Sequence, residues 1–227
     1  MKTGVISDIE GNDRKLEQVL SELRGCDLII NLGDSAGNKG DTDRVVRLLR
    51  QQKIVSILGN HDLEIILKKD VAPSELLAPI IHESSETFYP EFDVSRESLD
   101  FFKALAIGLE INSNCFKYGF YHSLYGKYKE DIFFEYVDRS NALSLVEHTG
   151  CDVVFIGHKH VPGIFEIDEN KTVKVKKINE STSFTLNPDK KYIINVGSLG
   201  APRYKKIECS YSILALNDHE AKPVLKR

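Results

Sequence analysis

The sequence predicts an α/β fold in which two mixed β-sheets pack as a sandwich, with helices flanking the outer faces. Three observations carry that prediction. Apolar runs alternate with stretches of helical spacing three times near the N-terminus. The second half is rich in short apolar runs with a single helical stretch among them, and islands of polar residues follow the runs rather than interrupting them.

Thr3 to Ser7 is an apolar run followed by a polar turn, after which Leu16, Val19, Leu20 and Leu23 recur at helical spacing. Leu28 to Leu32 reads as a buried strand ending at Gly33 and Asp34, and Val45, Val46, Leu48 and Leu49 mark one face of a second helix. The third unit runs from the strand Ile54 to Leu58 through Gly59-Asn60-His61-Asp62 into a helix with Leu63, Ile66 and Leu67. Strand–helix alternation of this length requires crossover connections and therefore parallel strands.

From about 68 to 106 the rhythm is lost. Pro73, Pro79 and Pro90 interrupt it, a helical pattern at Leu99, Phe102 and Leu105 closes it, and the segment is expected to be an inserted cap that overhangs the site. Strands are then expected at Gly108 to Ile111, Phe116 to Tyr121, Val153 to Ile156, Gly163 to Ile167, Val173 to Ile178, Tyr192 to Val196 and Tyr211 to Leu216. One helix, Asn141 to His148, lies among them. With 227 residues, 41% hydrophobic and 28% charged, the chain is expected to fold as a single domain over 1–227.

A formal charge of −4 argues against the broad basic face that grips nucleic-acid backbones, so extended nucleic-acid binding is not expected. No apolar stretch is long enough for a signal peptide or a membrane span, which points to a cytoplasmic protein without membrane association. Cys26, Cys115, Cys151 and Cys209 form no CxxC pair and read as core thiols. The oligomeric state stays open.

The polar islands are Ser7-Asp8-Ile9-Glu10-Gly11-Asn12, Gly33-Asp34, Gly59-Asn60-His61-Asp62, Tyr121-His122-Ser123, Gly157-His158-Lys159-His160 and Asn195-Val196-Gly197-Ser198. Each follows an expected strand. Hard oxygen and imidazole ligands gathered at strand ends suit a site for two cations. Period-two alternation would put His158 and His160 on one face, where shared ligation is natural.

In this order the islands resemble the calcineurin-like metallophosphoesterase superfamily, whose pattern is DxH, GD, GNHD or GNHE, a lone His, and GHxH. The resemblance covers most of the chain, from Asp8 to Arg203, and implies the α-β-β-α fold of that family. It implies that Asp8, Glu10 and His160 hold a first metal, that Asp34 bridges to a second, and that Asn60, His122 and His158 complete the second site. His61 would stand outside the metals and protonate the leaving oxygen, with Asn60 and Asp34 also serving catalysis. The implied cofactors are two divalent ions, manganese first, with iron(II), magnesium, nickel or zinc as alternatives. The implied reaction is direct attack by water activated between them on a phosphodiester or nucleotide-type phosphate ester, with no covalent protein nucleophile. The partner is then a small phosphate ester or nucleotide.

Glu10 departs from the family pattern, which has a histidine there. Either it ligates the first metal and makes that site harder, or it leaves the site weak. The added charge predicts a pH optimum on the alkaline side. Protein phosphatases of the superfamily carry an arginine soon after GD and another before GNH. Here Ala36-Gly37-Asn38 follows Asp34-Ser35 and Leu58 precedes Gly59, which argues against that branch. The segment Asn195 to Arg203 instead resembles the NPGSxGxPR signature of small bacterial and archaeal phosphodiesterases. In it Gly197 and Gly200 permit close backbone approach, and Arg203 either binds the substrate phosphate or braces the loop. Tyr125 to Lys129 mixes rings and positive charges, which reads either as a solvated loop or as a surface suited to a base and an anion. The reading from another class is a catalytically weakened scaffold that binds proteins; the retained His61 argues for the enzyme.

Overall fold

The computed structural model describes residues 1–69, 94–123, 139, 141–178, 181–202, 209–216 and 221–226. Two six-stranded sheets face each other across an apolar core. The first runs in the order β3 (Val55–Ser56), β2 (Leu28–Asn31), β1 (Lys2–Ile6), β11 (Tyr211–Leu216), β12 (Ala221–Lys226), β9 (Thr182–Ser183). The second runs β4 (Gly108–Asn112), β5 (Lys117–Tyr121), β6 (Val153–Ile156), β10 (Lys191–Asn195), β7 (Gly163–Ile167), β8 (Val173–Lys177).

Each sheet contains three mutually parallel strands: β1, β2 and β3 in one, β5, β6 and β10 in the other. The remaining pairings are antiparallel. Both sheets are therefore mixed, as the sequence predicts.

Alternation along the strands builds the inter-sheet core. Val5, Ile30 and Leu32 from the first sheet meet Phe120, Phe155 and Ile194 from the second, and the Phe120 and Phe155 rings stack with centroids 5.2 Å apart. The opposite faces carry the helices. Helix α1 (Asp13–Glu22) buries Leu16 and Val19, and α2 (Thr42–Gln51) buries Val45 and Leu49, against the first sheet. Helix α5 (Ala142–Thr149) covers the second sheet through Leu145 and Val146, packed on Val154, Phe165 and Ile193. These apolar faces recur every three or four residues, as a one-sided helix requires.

Capping fixes where helices start. The Asn12 side chain accepts the Lys15 N–H at 3.1 Å and Asp41 accepts that of Arg44 at 2.9 Å. Caps of this kind contribute about 1 kcal/mol each. Helix α3 (Asn60–Lys69) begins where the third parallel strand ends.

The described end of the expected insertion, 94–106, is part of the body. Helix α4 (Arg96–Lys103) buries Phe102 against Ala36, Val46 and Ile65, and the Leu58 N–H donates to the Ala106 carbonyl at 2.8 Å. Residues 70–93, where a cap is expected, lie outside the described ones. None of the four cysteines is in a disulfide. Cys151 and Cys209 are core thiols and Cys26 is half-buried. Cys115 is exposed, because it sits in the tight turn joining β4 to β5.

Candidate metal centre

The six parallel strands end on the same side, and the polar islands begin there. Asp8 and Glu10 follow β1, Asp34 follows β2, Asn60 and His61 follow β3, His122 follows β5, His158 and His160 follow β6, and Ser198 follows β10. Loops at the carboxyl ends of parallel strands are where α/β folds gather ligand-binding groups.

Backbone hydrogen bonds continue past the strand ends and lock the loops together. The Asp8 N–H donates to the Gly33 carbonyl at 3.0 Å, Glu10 to Asp34 at 2.9 Å and Gly11 to Ser35 at 2.9 Å. From the second sheet, the Gly157 N–H donates to the His122 carbonyl at 2.9 Å, and the His158 N–H reaches Asp8 Oδ2 at 3.0 Å.

Asp8, Glu10, Asp34, His158 and His160 all have φ between 52° and 66°. Left-handed backbone is uncommon outside glycine, and such strain persists only where surrounding structure enforces it. It also corrects one expectation. His158 and His160 do not share a face through strand alternation; the left-handed turn sends them into different groups.

Three groups of donors result, each with its ligand atoms within 4.8 Å of one another: Asp8, Glu10 and His160; Asp34, His122 and His158; and Glu10, Asp34 and His61. In the first, His160 Nε2 lies 3.0 Å from Asp8 Oδ1 and 3.4 Å from Glu10 Oε1. In the second, His122 Nε2 lies 3.2 Å from Asp34 Oδ2, and the Asn60 side-chain oxygen stands 3.0 Å from His122 Nε2 and 2.9 Å from His158 Nδ1. The third joins them: His61 Nδ1 is 3.2 Å from Glu10 Oε2 and 3.5 Å from Asp34 Oδ2. His61 is thus in contact with carboxylates of both ligand groups, and Glu10 touches both His160 and His61.

Carbonyls orient two of the imidazoles. His122 Nδ1 is 2.9 Å from the Leu32 carbonyl and His160 Nδ1 is 2.7 Å from that of Ala201, so each presents Nε2 to the carboxylates. Such partners set the tautomer and direction of a metal-binding ring. Mixed carboxylate, imidazole and amide donors, buried and already aimed inward, fit hard or borderline divalent ions.

The electrostatics follow from burying carboxylates beside imidazoles. Burial opposes ionisation of Asp34, yet the charges of His122 and His61 outweigh it and hold the carboxyl far below its usual range. Asp8 is lowered too, burial being overcome by its hydrogen bond to His160. Burial opposes the charged form of His122 and His61, but the neighbouring carboxylates, Asp34 foremost, raise them to about 9 and about 10. His158 drops to about 4 through burial and the charge on His122. Burial raises Glu10, against its contact with His61.

Two supports were not singled out from sequence. Asp62, fully buried, accepts the Ala36 N–H at 2.8 Å and the Gly59 N–H at 3.1 Å, tying the loop after β2 to the start of α3. Asp34 Oδ1 accepts the His61 N–H at 2.8 Å, so the N-terminal dipole end of α3 faces this carboxylate. Ser198 Oγ donates to the Asp8 carbonyl at 3.0 Å and accepts the Ala201 N–H at 2.9 Å. The signal for both lay inside motifs already marked, but their hydrogen-bond partners are distant in sequence.

The close approach expected at Gly200 is present: a Cβ there would lie 2.0 Å from the Ile9 carbonyl oxygen. Gly197 adopts φ 81°. Arg203 and Tyr125 to Lys129 lie outside the described residues.

The sandwich and its donor groups define a metallophosphoesterase-type protein. Residues 1–219 match the calcineurin-like phosphoesterase superfamily domain, and the chain belongs to that superfamily. It is 31% identical over 218 residues to the uncharacterized protein MJ0912 of Methanocaldococcus jannaschii, covering 94% of this chain and 82% of that one. A metallophosphoesterase from Sphaerobacter thermophilus superposes with a TM-score of 0.71 at 25% identity, over 100% of this chain and 88% of that one. Vps29 from Entamoeba histolytica shares the fold at a TM-score of 0.51 and 15% identity, over 97% of this chain and 89% of that one. Among the described residues no helix is long and apolar enough to cross a membrane.

Proposed function

We propose that this protein is a divalent-metal-dependent phosphoesterase that hydrolyses a small phosphodiester or nucleotide-type phosphate ester. The observation that carries the reading is the joining of two donor groups, Asp8/Glu10/His160 and Asp34/His122/His158, by Asp34 and Glu10 against His61. Asn60 supplies an amide oxygen to the second.

These groups would hold two divalent ions, manganese first, which when bound would supply Lewis acidity toward phosphoryl oxygens and lower the pKa of a water toward neutrality. The chain does the rest. Asp34, capping α3, fixes the centre of the cage, and the Leu32 and Ala201 carbonyls hold the rings of His122 and His160. In this reading His61, beside Asp34 and Glu10, gives a proton to the departing alkoxide. Arg203 is assigned to the substrate phosphate.

Metal-dependent turnover of bis-p-nitrophenyl phosphate, compared with p-nitrophenyl phosphate, tests this. Hydrolysis of either that requires a divalent ion and is lost in His61→Ala is the expected result. No turnover with any of manganese, iron(II), magnesium, nickel or zinc would favour a protein-binding scaffold instead.

A further inference from the structure

One buried acidic group beside the cage has no part in it. Glu64 lies on α3 four residues after Asn60 and three after His61, so all three occupy one face of the helix. The residue is only 8% exposed, and its Oε1 is buried without a hydrogen-bond partner among the described residues. The carboxyl is close enough to the centre to feel the charges of His61 and Asp34 as well as Lys68. The neighbouring Leu63 and Ile65 are buried apolar residues, and Ile65 packs with Ala36, Val46 and Phe102.

Evolution rarely leaves a buried carboxylate oxygen unpaired, because desolvating it without a partner destabilises the fold. A helix position flanked by Leu63 and Ile65 would be filled at lower cost by another apolar side chain. The acceptor therefore suits a donor that the described residues do not provide.

We infer that Glu64 is a specificity-determining residue, whose Oε1 accepts a hydrogen bond from a hydroxyl on the alcohol portion of the substrate, next to the oxygen that leaves. This rests on the phosphoesterase reading and narrows it. The leaving group is a polyol or sugar, and a simple alkyl or aryl alcohol lacks the donor. His61 faces the departing oxygen and Glu64 stands one helical turn further along the same face, where a hydroxyl on a neighbouring carbon would fall. A site built to bind a hydroxyl discriminates against an analogue lacking it, because the buried acceptor is then left unpaired.

The test uses the full chain with manganese and two matched pairs: glycerol 1-phosphate against propyl phosphate, and methyl glyceryl phosphate against methyl propyl phosphate. Product is followed by phosphorus NMR. In whichever pair the native protein hydrolyses, kcat/KM is expected to favour the glyceryl ester by about tenfold or more. Glu64→Met should abolish that preference, leave propyl ester turnover within about twofold, and leave the thermal midpoint unchanged or higher. Glu64→Gln, which keeps an acceptor oxygen, should restore part of the preference.

A preference unaltered in Glu64→Met would overturn the proposal. So would equal losses on both esters with a lowered midpoint, the mark of a structural residue. Absence of any preference in an active native protein would overturn it while leaving the phosphoesterase reading intact; a native protein inert toward all four esters would overturn both.

Discussion

Ser198→Ala isolates the loop that braces the first donor group. The hydroxyl is completely buried, donates to the Asp8 carbonyl and accepts the Ala201 N–H. The Asp8 carbonyl keeps a second donor, the Gly200 N–H at 2.9 Å, so its loss is partial. The Ala201 N–H loses its acceptor. One lost hydrogen bond and one stranded donor together cost about 2 kcal/mol. For a chain of this size that lowers the thermal midpoint by about 4–8 °C. The chemistry should suffer more than the fold. The Ala201 carbonyl holds His160 Nδ1, and its displacement loosens the ring that faces Asp8 and Glu10. Loss of an outer partner of this kind weakens metal affinity about 10–100-fold. Calorimetric melting and manganese titration of the variant measure the two effects. A midpoint within about 1 °C of native, with unchanged manganese affinity, would refute the idea that this loop positions the first group.

Chelation should lower the midpoint of the native protein, and manganese at 100 times its dissociation constant should raise it by the equivalent of about 2.7 kcal/mol; a metal-independent midpoint would count against the cage. Glu10→His removes a negative charge from the first donor group and should move the pH optimum downward; a pH–rate profile displaced upward would contradict the role given to that charge. Asp43 is held below its ordinary value: burial opposes this, but hydrogen bonds from Ser98 and Ser95 outweigh it. Its contribution to stability is therefore present above pH 3.8 and lost as pH falls through its lower folded-state value. Asp43→Asn should accordingly be less stable than native at neutral pH, with the difference shrinking below about pH 4 in acid-unfolding curves.

Where a short apolar run is buried almost throughout, strands were legible to the residue: β6, β7 and β11 coincide with the runs Val153 to Ile156, Gly163 to Ile167 and Tyr211 to Leu216. Strand β12 was not foreseen, because Ala-Lys-Pro-Val-Leu-Lys carries a proline and no alternation, and its place depends on pairing with β11. Strand β3 is shorter than its apolar run because Ile57 leaves the ladder to bridge Ala106, a partner far along the chain. At the centre, residue types and order announced which side chains gather. What gathers them was hidden: left-handed backbone at five of those residues, and carbonyls of Leu32 and Ala201 that no side-chain pattern encodes.

The most direct test of the two-cation cage is anomalous X-ray scattering at the manganese edge from crystals of the full chain soaked with manganese. Two peaks are expected, one among Asp8, Glu10 and His160 and the other among Asp34, Asn60, His122 and His158, with Asp34 between them. No peak within reach of Asp34 at saturating manganese would contradict the assignment.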